Sequence, residues 1–248
     1  MKRLIYVISL LLLLVGCSRN NTILTVNEKM QKADQLFSAK KFKKAAILYQ
    51  DVVFERSSAL TAVAQMKLAD CYFKDKDFLD ARLEYEQMIK LFPDNEKIAD
   101  AYYRIGVCDF EDSLPAPYTQ EETESAIRAF GIFLDKFPQD TRRTGAIEYI
   151  QKCQYKLLEK TYENGRIYFK IVDYSGSLMY LEEIMDLGNT DKLDSNSHLM
   201  AGRIYLHWEN YPVAKAHLAD VIQRYPDTKE AKKAKKYLKK IREIEEKF

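Results

Sequence analysis

Residues 66–93 read MKLADCYFKDKDFLDARLEYEQMIKLFP, and this stretch decides the fold. Ala69 stands twelve residues before Ala81, Tyr85 and Met88 follow Ala81 at four and seven, and Pro93 closes the run. Steps of three and four place these side chains on one helical stripe, and the polar run 74–77 interrupts it, so the stretch is two helices joined by a corner. The phrase recurs as Ala45-Tyr49-Val52, Ala126-Phe130-Phe133-Pro138, Ser177-Leu181-Ile184 and Ala214-Leu218-Val221-Pro226. A second small residue stands twelve ahead at Ala33, Gly165 and Gly202, whereas in the third copy Gly106 stands twenty ahead. A helix pair of about 34 residues cannot bury its apolar faces alone, so such copies must stack on one another.

The second copy resembles the tetratricopeptide consensus, with small residues where two helices touch and aromatics where neighbouring pairs interlock. The predicted fold is therefore all-α, a superhelical solenoid of five tetratricopeptide-like helix pairs with a C-terminal capping helix. Composition agrees: eight Gly and six Pro in 248 residues leave few turn formers. Intervals between the small residues of the second helices are 36, 45, 51 and 37. The interval of 45 holds the two-proline insertion 112–119, which must be a loop. The interval of 51 holds residues 144–171, apolar at helical spacing and free of proline, which predicts one helix of about 25 residues. Prolines 93, 138 and 226 each follow an aromatic residue and end a helix, and Gly188-Asn189 takes that place in the fourth copy. Pro212 sits just inside the start of the last second helix. Residues 229–248 predict a Lys/Glu-rich amphipathic cap on the last pair.

Lys2 and Arg3 precede the apolar run Leu4–Val15, which is too short for a comfortable membrane span and suits a secretory signal. The run ends Leu14-Val15-Gly16-Cys17 and closely resembles a bacterial lipobox, which implies cleavage before Cys17 and its lipidation. Removing Lys2 and Arg3 leaves equal numbers of basic and acidic residues, and a balanced charge argues against nucleic acid as a partner. Ser18 follows the cysteine where an inner-membrane retention signal would place aspartate, which points to the outer membrane. The domain reading is 1–16 signal peptide, 17–27 lipidated cysteine and tether, 28–140 repeats one to three, and 141–248 repeats four and five with the cap.

Catalytic motifs are missing: there is no G-x-S-x-G, Walker loop, H-E-x-x-H or dinucleotide fingerprint. The expectation is no enzyme, no catalytic residue, no cofactor and no metal. Cys71 and Cys108 each sit two residues after a small packing position, and with Cys153 they read as buried free thiols. Of His198, His207 and His217, the last two lie ten apart across a turn, but without cysteines or paired carboxylates at ligand spacing they read as packing or surface histidines. Binding is the better prospect. First-helix positions one turn beyond the small residue are aromatic, and Phe37, Phe73 and Phe110 with Met66, Asp70 and Tyr103 predict a groove for an extended peptide. The same consensus positions also lock adjacent repeats together, so packing is the competing reading.

The whole resembles the BamD (YfiO) family, the lipoprotein of the bacterial outer-membrane β-barrel assembly machinery. The lipobox at Cys17, five repeats, the interrupted third repeat and the long helix into the fourth carry the resemblance. So do the run Ala126, Phe130, Phe133, Lys136, Phe137 and Pro138, the long-helix aromatics from Tyr162 to Phe169, and the corner Tyr225-Pro226-Asp227-Thr228. The resemblance implies a non-enzymatic scaffold lipid-anchored at the periplasmic face of the outer membrane. It implies N-terminal repeats that receive unfolded outer-membrane proteins and C-terminal repeats that dock on the barrel insertase through its periplasmic repeat domains, with Arg203, Tyr205, Asn210, Tyr225 and Asp227 as the docking residues. The chain departs from the family pattern at Tyr180, where arginine is common, and at Asn189, where proline is usual. A periplasmic tetratricopeptide lipoprotein coordinating cell-wall synthesis or envelope constriction is the alternative.

Overall fold

The computed structural model describes residues 24–56, 59–188 and 191–247, so Cys17 and Asn189 lie outside the described residues. Among the described residues there are eleven α-helices and no strand. The chain packs as two compact units, one ending at Asp75 and the other beginning at Lys76.

The first unit holds α1 (Val26–Ser38), α2 (Phe42–Glu55) and α3 (Thr61–Lys74). Helix α1 starts two residues ahead of the expected position 28, because Thr25 and Glu28 close a reciprocal cap. The Glu28 carboxylate accepts from Thr25 N at 2.8 Å, and Thr25 Oγ1 accepts from Glu28 N at 3.3 Å. Lys29 in the first turn of α1 meets Glu55 in the last turn of α2 at 2.6 Å, so the two helices run antiparallel. Between them Ala33, Ala45, Tyr49 and Val52 are fully buried. Each large side chain removed from water in this way contributes about 1.5–3 kcal/mol.

The second unit holds α4 (Phe78–Leu91), α5 (Ile98–Asp112), α6 (Glu121–Lys136), α7 (Arg143–Lys170), α8 (Tyr174–Asp186), α9 (Lys192–His207), α10 (Tyr211–Arg224) and α11 (Lys229–Glu245). The small and large residues of its repeated phrases, from Ala81 to Val221, are all buried. Close approach is why glycine stands at Gly106: a Cβ there would lie 2.8 Å from the Phe130 ring. Helix α7 is 28 residues long, about 42 Å at 1.5 Å per residue, and confirms the predicted long helix. Helix α11 packs Ala231, Ala234 and Ile241 against α10, and Lys215 meets Glu245 at 2.7 Å, as expected of an antiparallel cap.

Corners between the helices of a pair share one geometry. Lys40, Lys76, Val172 and Glu209 all take positive φ, between 57° and 67°, and an aromatic residue follows each after one residue. At three of these corners the second residue's N–H reaches back five positions to close the preceding helix: Lys41 to Leu36 O at 2.8 Å, Asp173 to Tyr168 O at 3.0 Å and Asn210 to Tyr205 O at 2.9 Å.

The interrupted third repeat is an ordered loop. Gln120 Nε2 points into a ring of carbonyls from Leu114, Pro115, Ala116 and Tyr118 at 3.0–3.5 Å, while Gln120 Oε1 accepts from Thr123 Oγ1 at 2.8 Å. Lys156 of α7 donates to Ser113 Oγ at 2.6 Å, and Lys160 donates to the Pro117 carbonyl at 2.6 Å. The two stretched intervals of the sequence thus meet: the long helix holds the inserted loop in place.

Candidate protein-binding site

The groove residues expected from sequence fall in both units and are described unit by unit. In the first, Phe37 is half-buried and packs edge-on against Phe42, with ring centroids 5.3 Å apart, at the α1–α2 corner. Met66 is only 3% exposed and offers almost no surface. Asp70 and Phe73 are half-buried on α3. Nearby, Asp34 accepts from Tyr49 Oη at 2.5 Å and also pairs with Lys67. Burial pushes the Asp34 carboxyl up, but the bonds from Lys67 and Tyr49 outweigh it and hold the group below its usual range.

In the second unit Tyr103 and Phe110 lie on α5 within a five-ring cluster with Phe130, Phe133 and Tyr149. Phe110 meets Tyr149 edge-on at 4.9 Å, and Tyr149 stacks on Phe130 at 5.0 Å. Arg142 lies over both Tyr103 and Phe133, at 5.5 and 5.6 Å, and is tied to Asp100 at 2.6 Å and Asp140 at 2.7 Å. Hydrogen bonds from Arg142 hold the Asp140 carboxyl down at about 2. Here the rings do much of the packing that the competing sequence reading assigned to them, joining α5, α6 and α7. Tyr149 and Arg142 belong to this assembly and, like Gln120 of the inserted loop, escaped the sequence reading, because none stands at a repeat position.

The residues implied for docking lie on α9 and at the two corners that flank α10. Arg203 bridges two rings, 4.5 Å from Phe169 and 5.8 Å from Tyr237. Tyr205 stacks flat on His217 at 5.5 Å and meets Trp208 edge-on at 5.7 Å. Asn210 caps α10, accepting from Val213 N at 3.4 Å, and Asp227 is exposed. Tyr225 instead turns inward: it is 9% exposed, and its hydroxyl donates to the fully buried Asp194. Burial and that bond both raise the phenol.

Asp194 anchors a polar network between α9 and α10. Arg224 pairs with it at 2.9 Å and donates to His198 Nε2 at 3.2 Å. A guanidinium can only donate, so the His198 proton sits on Nδ1 and points at His217 Nδ1, 3.1 Å away. The paired histidines are therefore His198 and His217, whereas His207 packs edge-on against Tyr174 at 4.7 Å. Among the described residues no group of three or more His, Cys, Asp or Glu could hold a metal. Cys71, Cys108 and Cys153 are free and buried, and burial pushes the first two thiols up to about 12.

A family model described as outer membrane lipoprotein, YfiO, matches residues 19–186, from the first helix through the inserted loop and the long helix. The chain belongs to the YfiO family of outer membrane lipoproteins. A tetratricopeptide repeat model also matches residues 197–228, which span most of α9 and all of α10. No curated protein matches the chain. Among solved structures, the TPR2AB domain of yeast Sti1 in complex with pHSP90 aligns at 13% identity and TM-score 0.46, over 83% of this chain and 80% of that one. MamA from Desulfovibrio magneticus RS-1 aligns at 12% identity and TM-score 0.37, over 82% and 97%. A tetratricopeptide repeat protein from Parabacteroides merdae aligns at 13% identity and TM-score 0.38, over 82% and 67%.

Proposed function

We propose that this YfiO-family lipoprotein is a non-enzymatic scaffold of the outer-membrane β-barrel assembly machinery, binding the barrel insertase and unfolded outer-membrane proteins. The observation that carries the reading is the family match across the two irregular repeats, where the inserted loop is held by Lys156 and Lys160 of the long helix. Lipid attached at Cys17 would hold the chain at the periplasmic face of the outer membrane. In the first unit, Phe37, Asp70 and Phe73 would receive extended segments of unfolded substrate; in the second unit, taken by itself, the remaining surface of Tyr103 and Phe110 would do the same. Burying an apolar side chain of the segment against such rings while polar groups hold its backbone is how repeat grooves take peptides. Insertase contacts fall to the exposed or part-exposed Arg203, Tyr205, Asn210 and Asp227, while Tyr225 acts from inside by fixing the corner that presents Asp227. The binding test is Phe73→Ala: it should weaken capture of unfolded barrel-protein peptides more than it lowers the melting temperature. Loss of stability with unchanged capture would return Phe73 to a packing role.

A further inference from the structure

The capping helix carries its charge unevenly. Between Ala231 and Arg242 it holds seven cations and no carboxylate, while Glu243, Glu245 and Glu246 gather at its C-terminal end. Three of the cations, Lys235, Lys239 and Arg242, stand at steps of four and three on one stripe, about 10 Å from end to end. That stripe lines a groove of about 530 Å³ between α10 and α11. Ala219 and Ile222 of α10 and Leu238 of α11 supply its apolar surface, and the remaining lining residue, Gln223, is neutral. The groove therefore carries three positive charges and no negative one. Lys239 is held only loosely, 3.7 Å from the exposed Glu243, and Glu245 is taken up by Lys215 at 2.7 Å. Among the described residues neither Lys235 nor Arg242 has a carboxylate partner. Like charges at this spacing repel and weaken a helix, so an anion seated between them would relieve a repulsion that the fold leaves standing.

We infer that this groove seats the phosphate of an anionic phospholipid headgroup. Lys235, Lys239 and Arg242 surround the phosphate oxygens, and the glyceryl carbons and upper acyl chain lie against Ile222, Leu238 and Ala219. Phosphate concentrates its charge on oxygens that several cations can share, so a cluster within about 10 Å suits it better than carboxylates spread along a peptide. Apolar surface beside the cations matches the junction of headgroup and acyl chain. Clusters of about four to eight Lys and Arg on an amphipathic helix are a pattern by which proteins recognise anionic lipid. Among the described residues no helix is long and apolar enough to cross a membrane, so this contact is made from the membrane surface. The inference needs only the outer-membrane association of the family and is independent of the assembly role.

The test uses the full-length lipidated protein in neutral maltoside detergent, with isotope-labelled Ile and Leu methyls, and phosphatidylglycerol added to the micelles. Saturable shifts of Ile222 and Leu238 are expected, and they should be absent with phosphatidylcholine, whose phosphate is already paired with a cation. In the variant Lys235→Gln, Lys239→Gln, Arg242→Gln, binding should weaken about a hundredfold at low salt. The variant Lys233→Gln, Lys236→Gln, Lys240→Gln removes the same charge from residues that do not line the groove, and should weaken binding about tenfold or less. All six side chains are exposed, so both variants keep the fold. Absent shifts with phosphatidylglycerol, or equal losses in the two variants, would overturn the inference. So would equal shifts with phosphatidylcholine, or with inorganic phosphate at the same concentration, which would mark a site for free anions. Stronger shifts with the acidic peptide acetyl-Glu-Glu-Leu-Glu-Glu-amide would overturn it in favour of a partner polypeptide.

Discussion

At the scale of single residues, the corner at Val172 is where local chemistry and fold disagree most. Its φ of 67° is the left-handed region, which a β-branched side chain adopts at a cost of about 1–2 kcal/mol. It is 63% exposed, so no packing contact opposes replacement. Val172→Gly relieves the strain and returns part of it as unfolded-chain entropy, so a net gain of about 0.5–1 kcal/mol is expected, read as a melting temperature higher by about 1–4 °C. An unchanged or lower value would contradict the strain. Gly106 makes the opposite case: Gly106→Ala drives a methyl into the fully buried Phe130 ring, and a loss of about 1–3 kcal/mol in denaturant unfolding is expected. Titration is argued here too. Burial lowers the His198 and His217 imidazoles below 6.5, outweighing the pull of Asp194 and Asp220 on His198 and of Asp220 on His217. The unfolded chain then takes up protons that the native state resists, so the stability these groups contribute is present above pH 6.5 and drains away as pH falls toward their native values. Asp109, whose carboxyl burial raises to about 6, works in the opposite direction over the same range. The expectation is therefore a difference: between pH 7.5 and 5 the parent should lose stability relative to a variant with both histidines replaced by asparagine, and parallel curves would contradict the neutral pair. Sequence read the histidines of the last repeat as packing or surface residues but gave no sign that His198 meets His217, because neighbours across a helix pair are set by packing rather than by distance along the chain.

Elements explain why the irregular repeats hold together. Gln120 closes the loop of residues 113–120 through four carbonyls and Thr123, and α7 clamps it through Lys156 and Lys160. Gln120→Ala removes the amide that draws those carbonyls together and the acceptor of the buried Thr123 hydroxyl, and should cost about 2–3 kcal/mol, with faster amide exchange confined at first to the loop. If exchange there equals that of the parent, the loop is held by something other than Gln120. The repeats themselves were legible because a small residue four and seven positions ahead of large ones is a packing rule, and Ala45, Ala81, Ala126 and Ala214 are all fully buried as that rule requires. The loop's anchor was not legible: one glutamine before an acidic helix start carries no periodicity. Nor did the spacing of Tyr103 and Phe110 tell groove from lock, since both uses need an aromatic ring on the same face of α5. In the structure Tyr149 packs against both rings.

On the scale of the whole molecule, family membership, outer-membrane association and repeat-based protein binding agree with one another. The proposed scaffold role adds an anchor and two kinds of partner. Cys17→Ser should leave the protein unprocessed or free in the periplasm, and normal outer-membrane fractionation of that variant would count against lipid attachment there. The most direct measurement is a detergent pull-down of the intact lipidated protein from its own cells, with partners identified by mass spectrometry. The scaffold reading predicts recovery of a barrel protein carrying periplasmic repeat domains, together with unfolded outer-membrane proteins; recovery of a cell-wall synthase without that barrel would contradict it.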